Sequence, residues 1–229
     1  MIADVPVNIP LVTRNDGEMD EVTATKSGPG RPAGADSVDT RHRVLVAACQ
    51  CFAQCGYGPA TNNLIAEMAG VTAGSVHYHF GSKSKLFDAV CEYVYGKIIA
   101  RSVDALAGPH SVRGLLQAVL AESMRLNHES PELAGFVATA PIDARRHSEL
   151  TEAYAKQADR MTNTLMLAVA AGQQAGLIPP DLDRAAVVGL IATIVDGFAH
   201  AAASTDVATM DRMNELFDSL LLDSDHRRR

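Results

Sequence analysis

Three observations predict an all-α protein of about nine helices. Apolar residues recur at helical spacing from Val44 almost to the C-terminus, with no alternating strand pattern. Ser, Thr and Asp stand just before the periodic runs, as N-caps do, and Gly or Pro stands just after them, as helix stops do. The composition agrees: 47% hydrophobic and 21% charged residues are ordinary for a globular chain of 229 residues. Aromatics at 5%, with no Trp, leave the core to Ala, Leu, Val, Ile and Met.

Residues 1–39 hold Pro, Gly, Asp, Thr and Ser without apolar periodicity and read as a flexible arm. From Thr40, Val44, Ala47, Ala48, Cys51, Phe52 and Cys55 share one helical face, and Gly56 stops that helix. Thr61 caps a short helix ending at Gly70. Thr72 caps another, through about Phe80, and Ser82 caps a long one over residues 83–106. Five further segments follow Gly108-Pro109: residues 111–127, 131–144 (broken by Pro141), 147–172, 184–203 (capped by Asp183) and 209–222. Residues 185–203 hold one formal charge, Asp196. With many Ala and Gly, and with Asp196 and His200 inside it, this stretch reads as a buried helix rather than a membrane span, because a central Asp costs about 2.5–3.5 kcal/mol to insert. The domain division read from these signals is an arm over residues 1–39, a unit over 40–100 and a second unit over 101–229.

Net charge is −7, unevenly spread. Residues 1–39 carry net −4, residues 40–100 net +2 and residues 101–229 net −5. The positive segment also holds three of the eight His, which points to a local nucleic-acid module rather than a uniformly basic binder. The four cysteines, Cys49, Cys51, Cys55 and Cys91, cluster in that segment and do not form a disulfide framework. No signal-peptide pattern precedes them, so a reducing cytoplasm is expected. Cys51 and Cys55, with His77 or His79, suggest a metal or redox site, but the spacing is not that of a zinc site, and no metal or cofactor is expected. Neither GxSxG nor HExxH occurs, so an enzyme is not expected.

Residues 61–80 carry the strongest signal. Ala66 lies four residues before Gly70, and Val76 six after it. A small residue lets the second helix cross the first, Gly70 supplies a left-handed turn, and Val76 packs back under both. This is a helix–turn–helix, which presents its second helix to a DNA major groove. The run from Val44 to Val90, with AA…F…GY…T, IA…AGV and GSVHYHFGSKSKLF in one register, resembles the DNA-binding domain of TetR-family regulators. The segment GQQAGLIPPDLDRAAVVGLIATIVDGF is similar to that family's dimer-forming region.

The resemblance implies a homodimer on a palindromic, double-stranded DNA operator, with recognition helices about 34–36 Å apart or further. Thr61 and Thr72 are expected near phosphates, Tyr78 and Lys83 on the DNA backbone with His79 beside them, and Ala73, Gly74, Ser75 and His77 nearest base edges. The stretch 72–80 contains no Arg, Lys, Asn or Gln, so strong bidentate base reading is absent from it. In the arm, Gly30-Arg31-Pro32 resembles an AT-hook core, whose Arg enters a narrow minor groove.

The resemblance also implies an effector pocket in the C-terminal unit. Met124, Phe136, Tyr154, Met161, Leu165 and Met166 are its candidate lining for a small, apolar effector. Gly189, Thr193, Gly197 and Ala201 repeat at i+4 and are read as a close-approach seam between subunits, with Asp196, His200 and Phe217 on it; the alternatives are packing inside one subunit for the row, and a buried hydrogen-bond network or a pocket lining for Asp196. Together these readings describe a repressor released by a small molecule. The alternatives are an activator or nucleoid-type binder, and a helical small-molecule-binding or redox-sensing protein without DNA binding.

Overall fold

The computed structural model describes residues 33–202 and 205–223. Among them are nine α-helices and no strand. In order these are α1 (Ala33–Cys55), α2 (Asn62–Ala69), α3 (Ala73–Phe80), α4 (Lys83–Ala105), α5 (Val112–Glu129), α6 (Pro131–Arg146), α7 (Thr151–Gln174), α8 (Arg184–Ala202) and α9 (Val207–Asp223). A single 3-10 turn, Ser148–Leu150, leads into α7.

The expected caps are in place. Thr61 Oγ1 accepts from Leu64 N at 3.1 Å, and Thr72 Oγ1 from Ser75 N at 3.1 Å. Ser82 does the same for α4, and Asp183 Oδ1 accepts from Ala185 N at 2.9 Å; Ser111, expected inside the helix, instead caps α5. Gly70 ends α2 in the left-handed region (φ 64°, ψ 41°), which only a residue without Cβ adopts at little cost.

Three segments depart from expectation. α1 starts at Ala33, not Thr40, so part of the supposed arm is helical. Those added turns have no apolar stripe; Ser37, Val38 and Asp39 are exposed, and Asp39 pairs with Arg43 one turn on at 3.8 Å. α6 is not broken by Pro141 and runs to Arg146. Pro141 has no N–H for the Val137 carbonyl, a loss that ordinarily kinks a helix, but Phe136, Ala140 and Ala144 are buried on both sides of it and hold the helix in place. α8 is not the buried helix expected: only Val187, Val188 and Ile191 are buried. By length and composition it is the one helix among the described residues apolar enough to cross a membrane.

Two apolar cores result. The first joins α1–α4 through Val44, Phe52, Ile65, Val76 and Phe87, and continues into α6 through Phe136. The Phe87 ring lies 5.4 Å from Phe52 and 5.3 Å from Phe136. The second packs α5, α7 and α8 through Leu115, Leu120, Val169 and Ile191. The division placed at residue 100 therefore falls inside α4, and α6 belongs to the N-terminal core along one face.

Candidate functional site

α3 lies at one end of the molecule. Only Val76 and Phe80 are buried; they lock it onto the first core. The opposite face is open. Thr72, Gly74, His77 and Tyr78 are exposed, Tyr78 to 82%. Ala73, Ser75 and His79 are half-buried: Ala73 packs against the core, Ser75 Oγ lies 3.1 Å from Thr72 Oγ1, and the His79 ring sits 5.1 Å from that of Tyr78. Thr61 is exposed at the start of α2. The free N–H groups and hydroxyls at the starts of α2 and α3 thus face the same solvent as Tyr78 and His77, an arrangement suited to phosphate oxygens. Arg31 lies outside the described residues.

Lys83 is turned inward. Its Nζ donates to the carbonyls of Tyr57 (2.8 Å), Ala60 (2.9 Å) and Gly58 (3.2 Å), and it stands 4.1 Å from the centre of the Tyr57 ring. All three ammonium protons hold the α1–α2 loop. Lys85, two residues on, is exposed. No motif in the sequence singles it out, and its ammonium has no partner among the described residues.

Two arginines that the sequence reading also passed over shape the motif. Arg43 donates to the carbonyls of Ala69 (2.9 Å) and Gly70 (2.9 Å), closing the carbonyl end of α2. Arg41 stacks over Phe80 at 4.9 Å. Their signal was one of register: on an amphipathic helix they flank the buried stripe beginning at Val44. The α1–α2 loop is held from the other side by the buried Asp143 of α6, whose Oδ2 accepts from Tyr57 N at 2.8 Å. The His147 ring packs on Tyr57 at 5.0 Å.

Away from α3, residues of α4, α5, α7 and α8, with Val137 of α6, line a partly open cavity of about 210 Å³. Of the six candidates, Tyr154, Met161 and Leu165 line it. Phe136 is instead in the N-terminal core beside Phe52 and Phe87, because the apolar face of α6 turns toward α1. Met166 packs against the second core, and Met124, half-buried on α5, is also away from the lining. The lining residues that the sequence reading missed include Tyr95 and Ser102 of α4 and Glu122 of α5. The buried Glu122 is gripped by Arg101 and, at 3.1 Å, by Arg125.

Asp196, read from the sequence as a seam residue with a pocket lining as one alternative, lines this cavity. It is exposed, and the protein packed beside it displaces enough water to raise its carboxyl pKa. Burial, first, and the nearby Asp196 charge also raise the Tyr154 phenol. Gly189, Thr193, Gly197 and His200 lie on the exposed face of α8. A Cβ at Gly189 or Gly197 would meet nothing within 4 Å. Phe217 of α9 is half-buried and packs edge-on against Phe198 at 5.4 Å. Leu190 and Leu216 are 56% and 61% exposed on the same two helices.

Cys49, Cys51 and Cys91 are buried, and no group of three or more metal-ligating side chains occurs among the described residues. Burial pushes the thiols of Cys49 and Cys51 up to about 12.

Comparison with known proteins agrees with this layout. The family model for bacterial regulatory proteins of the tetR family matches residues 44–90, and that for the C-terminal part of BetI-type transcriptional repressors matches residues 112–224. The transcriptional repressor AcnR of Corynebacterium efficiens is 26% identical over 188 residues, 81% of this chain and 92% of that one. FadR of Bacillus subtilis, solved in complex with stearoyl-CoA, superposes with a TM-score of 0.64 at 22% identity, covering 76% of this chain and 96% of that one. A transcriptional regulator of Saccharomonospora viridis solved in complex with choline gives 0.64 at 19% identity, covering 79% and 95%. The chain belongs to the TetR family and is a helix–turn–helix, DNA-binding transcriptional regulator.

Proposed function

We propose that the protein is a cytoplasmic, non-enzymatic repressor that binds a palindromic operator as a homodimer and is released by a small molecule. The observation that carries this is α4. One helix of 23 residues begins beside α3 and ends in the cavity wall at Tyr95, Ile98 and Ser102. At 1.5 Å per residue it spans about 35 Å, so an occupant of the cavity acts on α3 through a rigid rod. Release follows only if the ligand prefers the α4 position that spoils the spacing of the two α3 helices, since equal affinity for both states shifts nothing.

The exposed apolar row on α8 and α9, with the open positions at Gly189 and Gly197, supports a second copy of the chain as partner. Thr72, Gly74, His77, Tyr78 and Lys85 are the proposed DNA contacts, with Thr61 at a phosphate. The test is footprinting of the purified protein on genomic DNA. Protection of a few inverted-repeat intervals is expected, and uniform, sequence-blind protection would contradict the reading. The two ligands named above, stearoyl-CoA and choline, carry opposite charge, so the effector's class is read from this cavity.

A further inference from the structure

Resting on the regulator reading, we propose that the cavity takes a small organic monocation with an apolar or aromatic body, for which Asp196 is the counter-ion and Tyr95 and Tyr154 are the aromatic wall.

The charges on the lining favour a cation. Among the described residues two formally charged side chains line the cavity, Glu122 and Asp196, and both are acids; none of the described lining residues is Lys, Arg or His. Glu122 is already balanced. Arg101 and Arg125 both pair with it, and Arg101 also holds Glu129 at 2.9 Å, so two arginines meet two carboxylates. Asp196 has no ion pair or hydrogen bond among the described residues. Asp196 is solvent-accessible and unpaired on an otherwise mainly apolar lining, so its charge is available to attract an entering cation. A carboxylate or phosphate ligand would meet Asp196 with no cationic group on the lining to receive it.

The aromatic content points the same way. Tyr95 and Tyr154 stand edge-to-face at 6.2 Å between centroids, Tyr95 buried and Tyr154 half-buried. Ring faces attract cations most strongly where water is excluded. The rest of the lining is mainly apolar: Ile98, Leu106, Val119, Leu165, Ile191 and Val195 are among it. A cavity of about 150 Å³ holds a benzene ring; at about 210 Å³ this one has room for a ring and a few further atoms, not a long acyl chain. Because α4 carries Tyr95, α7 Tyr154 and α8 Asp196, such a ligand ties three helices together at the end of the α4 rod.

The test uses the full-length protein and two molecules of the same shape, (4-hydroxyphenyl)trimethylammonium and neutral 4-tert-butylphenol, with 4-tert-butylbenzoate as the anion, all by titration calorimetry. The expected result is that the cation binds at least about tenfold tighter than the neutral isostere, the factor given by ~1.4 kcal/mol, and that the anion binds weakest. Asp196→Asn should bring cation and neutral within about twofold of each other. Tyr154→Leu, which keeps the charge, should weaken the cation more than the neutral molecule. Circular dichroism checks each fold; if Asp196→Asn fails to fold, the wild-type comparison and Tyr154→Leu decide. Equal binding of cation and neutral molecule by the wild type, undiminished preference in folded Asp196→Asn, or no binding of the cation at millimolar concentration would overturn the assignment. Operator retention is measured on the same wild-type sample without ligand. Retention with no cation preference overturns the cation alone, whereas absence of retention overturns the regulator reading.

Discussion

Replacing Lys83 by Met separates holding the motif together from touching DNA. The substitution keeps the apolar stem and removes the ammonium, together with donors at 2.8, 2.9 and 3.2 Å to three carbonyls and the contact with the Tyr57 ring. Hydrogen bonds from a charged donor contribute about 1.5–3 kcal/mol each when dry. The bond to Gly58 is long and exposed, and the other two are only part-buried. Discounting for water leaves about 2–3 kcal/mol in all. For a chain of this length that lowers the melting temperature by about 4–12 °C. The slope of log K against log salt for operator binding should stay within about 0.3 of wild type, because no phosphate loses its counter-charge. Lys85→Ala should do the reverse: little change in melting, and a slope reduced by about 0.9 per chain. A Lys83→Met protein that melts like wild type while losing salt dependence would refute this account of the loop.

Other predictions follow from the same geometry. Asp143→Ala leaves the buried Tyr57 N–H unpaired, costs about 1–3 kcal/mol, and should lower the urea midpoint; an unchanged midpoint would remove the clamp between α6 and the loop. Gly197→Leu adds a side chain to open space on α8, so the chain should fold yet sediment as a monomer with poor operator affinity, and an unaltered dimer mass would move the seam elsewhere. Native protein at pH 8 should show one fast thiol toward Ellman's reagent, the exposed Cys55, and four after denaturation. Folding holds Cys49 and Cys51 protonated to about pH 12, whereas unfolded thiols ionise near 8.5. Stability should therefore decline as pH rises above about 9, and a flat profile up to pH 10.5 would contradict the burial of these two residues.

The motif was legible in the sequence because its signals are local. Thr61, Gly70, Thr72 and Ser82 set the helix ends through bonds to residues three or four positions away, whatever the rest of the chain does. What depends on distant partners was not legible. Lys83 faces inward because residues 57–60 bring three carbonyls to it, which no periodicity reports. Phe136 is apolar and helical, and either core satisfies that pattern; the packing of α6 on α1 decides the matter. Asp196 is exposed on α8 beside the i+4 row of small residues and also lines the cavity, so seam and pocket lining both fit its sequence pattern and only the packing of α4 and α7 distinguishes them. Pro141 reads as a break because local propensity cannot include the tertiary contacts that hold α6 on both sides of it. The first turns of α1 escaped notice because they have no apolar face.

The most direct measurement of the central claim is the mass of the complex between the purified protein and a duplex selected from a random pool. Two protomers, or a multiple of two, on one inverted-repeat duplex is the predicted result, with Tyr78→Ala lowering affinity for selected and random duplexes alike. A single protomer per duplex, or a pool from which no sequence is enriched, would contradict it.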